Sequence, residues 1–371
     1  MKSTTRLLGV AALAVALGLA SSATAYQLER SCGNLVKWNR SSVTMRMASS
    51  SFPSGDPIRR PLIQARQAWN NGPVDFQMDF DWGDSFVFHP NFQNEVWVSS
   101  SNYWLSGAAA IARSWSICGK LVEGDVIFDR NTAWNYGEAL VNNVAYDSTA
   151  DRSLQGAAIH EFGHILGLKD EDREYNVMGE EYTHVHVNDR QVNFYAGEDA
   201  TSGAVALYGA VSDNKTDLGV VHWRWDRASG GYSRHRLTKV CDDPDPCEDN
   251  WGTYAESGTT NYLFYLAPRD TEIYLELTFE NNGKTSRTPL VWYVLSTDDN
   301  ITAADTWLAS RNPTLNPGDV YTTTQALTIP ARFAAGQEYY LGAVVDPFDV
   351  ITEWDESNNA TPVGIYLLDL D

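Results

Sequence analysis

Positive charge is scarce in this chain: its 371 residues hold 27 Lys and Arg against 48 Asp and Glu, a formal net charge of −21. A surface that acidic repels phosphate backbones and anionic headgroups, so nucleic acid and membrane surfaces are excluded as expected partners, and carboxylates are left over for calcium. Long apolar runs are scarce too. The one such run, Leu7 to Ala20, is too short to span a bilayer. It follows the basic Lys2 and Arg6 and precedes the small-residue box Ala23-Thr24-Ala25, so residues 1–25 read as a secretory signal peptide and the mature protein is expected to be exported. Cysteine is limited to Cys32, Cys118, Cys241 and Cys247, an even count that predicts two disulfides in an exported chain. Cys241 and Cys247 bracket the tight loop DDPDP and are expected to pair locally, which leaves Cys32 with Cys118. Internal repeats and long low-complexity tracts are absent.

What is present is 43% hydrophobic, ample for one large domain or two ordinary ones, and its texture changes near residue 213. Before that point helical and strand patterns mix. Pro57 to Trp69 places Ile58, Leu62, Ala65 and Trp69 at helical spacing with proline only in the first turn. Leu154 to Leu168 and Glu198 to Tyr208 predict two further helices, the latter closed by Gly209. Val43 to Met47 and Asp125 to Phe128 alternate as half-buried strands do. From Thr216 onward the helical signal stops. Short runs such as 273–279, 290–296 and 339–345, separated by turn clusters, predict an antiparallel β-sandwich. The polar stretch 212–217 suits a linker, giving expected domains at 26–212 and 213–371.

With only 7 histidines in the chain, His160-Glu161-Phe162-Gly163-His164 stands out. On a helix, positions i and i+4 share one face, so the two imidazoles can bind one zinc ion. Glu161 sits beside the first of them and can take a proton from a water in the fourth position, whose pKa zinc lowers to about 7. Two histidines need a third protein ligand. Gly167 can end the helix and turn the chain back, and Asp170 follows three residues later within reach of the same metal. His184, His186, Glu171, Asp172 and Glu174 are rivals for that position.

At HEFGHILGLKD the sequence resembles the metzincins, whose signature is HExxHxxGxx followed by a third ligand and then a methionine turn. The third ligand is usually His, and here Asp170 takes its place, which lowers the charge of the site by one and weakens the Lewis acidity of the metal. Asn176-Val177-Met178-Gly179 looks like the methionine turn. Tyr182, just beyond, is a candidate for lining the substrate pocket or donating a hydrogen bond to a developing oxyanion.

Within that group the likeness is to matrixins. It is carried by VKWNRSSVTMRM (36–47), QAWN (67–70), VDF (74–76), GDVIFD (124–129) and EDATSGAVALYG (198–209). It implies an α+β catalytic domain with a twisted mixed sheet and an active-site helix, hydrolysing peptide bonds with one catalytic zinc. In GDVIFD the family's structural-zinc histidine is replaced by Ile127, so a second zinc is not expected; Asp125 and Asp129 are candidates for calcium. The cysteine-switch propeptide is missing, and Cys32-Gly33 lies too close to Trp38 to loop into the cleft. In matrixins the segment before GDVIFD is the edge strand that reads substrate backbone, and GAAAIARSW (107–115) stands there.

The C-terminal region resembles a CARDB domain, an all-β immunoglobulin-like sandwich, in FENNGKT (279–285), YVLSTDDNITAADTWL (293–308), LNPGD (315–319) and VVDPFDVITEWDESNN (344–359). Asp346, Asp349, Glu353, Asp355 and Glu356 could bind calcium but read first as a solvated acidic turn, and Trp292, Tyr293, Trp307 and Trp354 read as core aromatics. An accessory domain of this kind implies tethering to a surface or matrix ligand. The expectation is therefore a secreted, monomeric zinc endopeptidase acting on proteins or peptides. The alternative is an adhesion or surface-binding protein whose metzincin-like domain has lost activity; Glu161, which has no use in a retired site, argues against it.

Overall fold

The computed structural model describes residues 26–371, apart from 86–89, 138–151, 172–176, 180–184, 190, 212–215, 230–231, 245–246, 248–250, 255–263 and 370–371. The expected signal peptide therefore lies outside the described residues, as do Tyr182, His184, Asp172 and Glu174.

Alternation builds the central sheet. In β1 (Ser42–Ala48) Val43, Met45 and Met47 point into the core. It lies between β2 (Gln77–Asp84) and β3 (Asn94–Ser99), both parallel to it, and β3 is followed by β5 (Lys120–Asp129) and the antiparallel edge strand β4 (Ala110–Ile117), giving the order β2-β1-β3-β5-β4. The expected segment 107–115 thus contributes most of an edge that is free among the described residues. Helix α1 (Arg59–Asn70) buries Leu62, Ala65 and Trp69 against the sheet side of the core, as its spacing requires. It starts two residues later than expected, because the Asp56 carboxylate accepts the Ile58 N–H and holds that residue in the preceding turn.

Helix α2 (Leu154–Ile165) is capped by Ser153, whose hydroxyl accepts from Gly156 N at 3.1 Å, and is buried nearly all round. The Nε1–H groups of Trp38 and Trp69 bond to the carbonyls of Ile165 and Ile159, clamping it from two sides at 2.8 and 2.9 Å. It ends three residues earlier than its apolar pattern. Gly167 has φ +95°, and the N–H groups of Gly167 and Leu168 turn back onto His164 O and Gly163 O. Helix α3 (Glu198–Tyr208) keeps its expected bounds.

Past residue 216 no described residue is helical. Two sheets pack face to face about one apolar core. The strands Leu218–Val221, Val240–Cys241 and Val320–Thr328 pair with Glu272–Asn281 in one. The other runs Thr253–Tyr254, Phe264–Pro268, Ala360–Leu368, Glu338–Val345, Val291–Ser296, Thr306–Arg311. Phe264–Pro268 runs parallel to Ala360–Leu368, so the sandwich is not wholly antiparallel as expected. Of the four aromatics assigned to the core, Tyr293 is buried there; Trp307 is 54% exposed, and Trp292 stacks edge-on against the exposed Phe348. Alternation alone does not say which face of an outer strand is covered. Both disulfides pair as expected, Cys32–Cys118 and Cys241–Cys247.

The two regions share a core. The hairpin β6 (Val185–Asn188) and β7 (Gln191–Phe194) buries Val187, Val192 and Phe194 in one cluster with Val221, Trp223 and Phe264. Thr361 Oγ1 donates to Val187 O at 3.0 Å, and Asn188 exchanges two hydrogen bonds with the Ile301 backbone. Beside it lies an acidic junction. Asp217 accepts a 2.8 Å bond from Asn358 Nδ2, and Glu353, expected in a solvated turn, is instead largely withdrawn from water and accepts from Leu218 N; Asp346 of the same turn is buried too. Burial, added to by the charges of Asp355, Glu280 and Glu356, pushes Asp217 up to about 8, and burial with Asp217 nearby does the same to Glu353. Both carboxyls then hold protons in the folded chain that they lose near pH 4 when unfolded, so stability falls as pH rises from about 4 to 8. Thermal midpoints in the presence of chelator are expected to be higher at pH 5 than at pH 8, and Asp217→Asn should shrink the difference. Equal midpoints for the unmodified protein would contradict this assignment.

Candidate metal centre

One turn of α2 places His160 and His164 side by side, with their Nε2 atoms 3.1 Å apart. The sharp exit at Gly167 returns the chain so that Asp170 Oδ1 stands 3.3 Å from each of them. These three are the only His, Cys, Asp or Glu group among the described residues with ligand atoms converging as a metal site requires. Ligands about 2.0 Å from a tetrahedral zinc stand about 3.3 Å from one another, so the triangle fits that ion. The proton placement fits as well. His160 Nδ1 is 2.8 Å from Val177 O and His164 Nδ1 is 2.9 Å from Leu168 O, so each ring donates from Nδ1 and presents the Nε2 lone pair inward.

Charge balance points the same way. Burial opposes charge on His164, yet the Asp170 and Glu161 carboxylates raise it to about 9, while the two imidazoles hold Asp170 well below the usual carboxylate range. One carboxylate beside two imidazoles is a donor set that suits a divalent cation.

Glu161 is buried at the back of the same recess. Burial pushes its carboxyl up, against the pull of His160, His164 and a hydrogen bond from the Ala112 N–H on the free edge of β4. A cleft of about 650 Å³ opens in front, between β4 residues 110–112 and the turn Leu168–Asp170, with Arg152 and Glu29 at its walls. Below, Met178 is buried against Gly163, and its carbonyl accepts from Glu171 N at 3.1 Å.

The rivals fall away where they are described. His186, on β6, is buried against the C-terminal sheets, where desolvation lowers it to about 4, and it stands outside the converging group, as does Glu171. Asp125 and Asp129 do not share a site. They lie four residues apart on β5, a span of about 13 Å. Asp125 is buried with Glu95 and Glu123, and burial followed by their charges raises it to about 8. Asp129 instead closes a turn, accepting from Asn131 N and Thr132 Oγ1. The sequence reading missed Glu29 and the contact from Ala112; both depend on chain segments that meet only in three dimensions.

Fold and recess together define a metallopeptidase domain, with a histidine pair and a neighbouring glutamate on a buried helix below a free strand edge. The chain carries a matrixin domain, matched by that family's model over residues 37–209, followed by a CARDB domain matched over residues 265–362. Among solved structures, the crystal structure of the CARDB domain of a Pyrococcus furiosus protein in complex with di-metal ions is similar over 43% of this chain and 100% of that one, at 14% identity and a TM-score of 0.26. A solution structure of the same domain is similar over 42% and 98%, at 13% identity and 0.25. No curated protein matches the chain. No described helix is long and apolar enough to cross a membrane.

Proposed function

We propose that the protein is an exported zinc endopeptidase that cleaves peptide bonds of proteins, with His160, His164 and Asp170 as the ligands. The observation that carries this reading is the ligand triangle set beside Glu161 under a strand edge that no described residue pairs with. Zinc held there supplies an activated water at neutral pH and polarises the scissile carbonyl. The chain's own residues do the rest. An extended substrate adds to β4 as a further strand, and main-chain hydrogen bonds hold it with little regard for sequence. Glu161 takes the proton of the attacking water and delivers it to the leaving amine nitrogen. Gly167 makes room for the turn that carries Asp170, and Met178 packs beneath the histidines; Tyr182 is assigned to the substrate pocket. The C-terminal region serves as an accessory module holding the enzyme to a surface or matrix ligand, and the protein works as a monomer.

Dialysis against a strong chelator is expected to abolish cleavage of an unfolded protein substrate, and stoichiometric zinc to restore it. Asp170→Ala should lower zinc affinity by at least about 10-fold, seen in competition with a chromophoric chelator. Full zinc occupancy with no cleavage of varied unfolded substrates would sink the peptidase reading in favour of an inactive adhesion protein.

A further inference from the structure

The turn between His164 and Asp170 is held from outside. Gln27 to Glu29 lies antiparallel to Gly167 to Lys169, with Leu28 opposite Leu168. Glu29 N donates to Gly167 O at 3.2 Å, and Lys169 N donates to Gln27 O at 3.0 Å. The carbonyl between those two bonds is that of Leu168, which takes the Nδ1–H of His164. The N-terminal segment therefore fixes the peptide plane that orients one histidine and, one residue on, the start of Asp170. The fit is close, because a Cβ on Gly167 would overlap the Val36 carbonyl oxygen.

The same segment continues to the tip of the β4–β5 hairpin, whose first strand walls the cleft. Val36 N donates to Glu29 O at 2.8 Å, Lys37 N to Gly119 O at 2.9 Å, and Leu121 N returns to Lys37 O at 2.9 Å. Cys32 is bonded to Cys118 at the tip of the β4–β5 hairpin, and Asn34 Nδ2 donates to Cys118 O at 3.2 Å. One short segment thus spans from the edge-strand hairpin to the turn carrying the third ligand. Asp170 itself is 40% exposed on its side chain and needs such support to stay in place.

We propose that residues 26–37, fastened by the Cys32–Cys118 disulfide, form a positioning strap that holds the Leu168–Asp170 turn in metal-binding geometry. The inference rests on the zinc-peptidase reading above. Its consequence is regulatory: the site reaches full metal affinity only after the disulfide closes, which ties activity to an oxidising compartment.

The disulfide also stabilises the fold by constraining the unfolded chain, so melting alone does not test the idea. The readout is zinc affinity by competition with a chromophoric chelator, together with the visible spectrum of the cobalt-loaded protein. Both are measured on the mature full chain carrying Cys241→Ser and Cys247→Ser, so that only the strap disulfide remains. Adding Cys32→Ser and Cys118→Ser is expected to weaken zinc binding by about 10–100-fold and to alter the cobalt bands. Glu29→Pro, which deletes the donor to Gly167 but keeps the disulfide, should do the same, whereas Glu29→Gln, which keeps the donor, should match the parent. If the chain with all four cysteines replaced does not fold, Glu29→Pro decides alone. Parental zinc affinity and cobalt spectrum in a folded Glu29→Pro chain overturn the strap while leaving the peptidase reading intact. A parent chain that binds no zinc overturns both.

Discussion

Replacing Glu161 by Gln is expected to cut turnover by about 10²–10⁴-fold while zinc stays at one ion per chain. The amide keeps the size of the carboxylate and can still face the Ala112 edge of β4, so the helix and the ligand triangle have no reason to move. What it loses is the ability to accept a proton. Because the group acts on the reacting water and not on substrate binding, KM should change far less than kcat. Metal content by atomic absorption and steady-state cleavage of a quenched peptide check the two halves separately. A Gln variant that loses zinc in proportion to activity would show that Glu161 supports the metal and is not the base.

Gly167→Ala is expected to cost about 3 kcal/mol, from a left-handed backbone penalty of roughly 1–2 and overpacking of roughly 1–3 kcal/mol. The clash is with the Val36 carbonyl, a backbone atom tied into the N-terminal segment, so it has nowhere to go. Gly163→Ala makes a useful contrast. Its new methyl would meet the Met178 sulfur and the edge of Trp69 at 3.2 Å, but a thioether is the flexible end of a side chain. Alanine also gains about 1 kcal/mol of helix propensity over glycine there, so the net change should be near zero. Thermal unfolding orders the two, at about 2–4 °C per kcal/mol for a domain of this size. A Gly163 variant less stable than the Gly167 variant would mean that Met178 is held rigidly.

The helices α1, α2 and α3 were legible because each presents apolar residues at helical spacing, and the histidine pair because i, i+4 geometry is fixed by the helix itself. Asp170 was readable only as one candidate among several, since its place depends on how a glycine turn closes, which spacing constrains but does not determine. The N-terminal segment was opaque. Gln27 and Glu29 act through backbone groups, and backbone hydrogen bonding leaves no trace in side-chain identity. Only Cys32 hinted at the connection, through its pairing with Cys118. Asp125 was legible as an acid on a strand but not in its company, because Glu95 comes from a neighbouring strand in the sheet and not from the same segment. Trp307 misled for a related reason: an aromatic in an outer strand alternates in the same way whether its face is covered or bare.

The hairpin β6–β7 follows the Met178 turn along the chain and is wedged into the C-terminal sheets through Val187, Val192 and Phe194. A cut made between the two family matches would therefore not release two finished modules. It would strip a wall from the first and leave those side chains facing water. An accessory domain on a flexible stalk can be exchanged whole, whereas a shared core ties the side chains of the sandwich to those of the first domain. Grafting a different sandwich onto the first domain would mean rebuilding that seam and not only the linker.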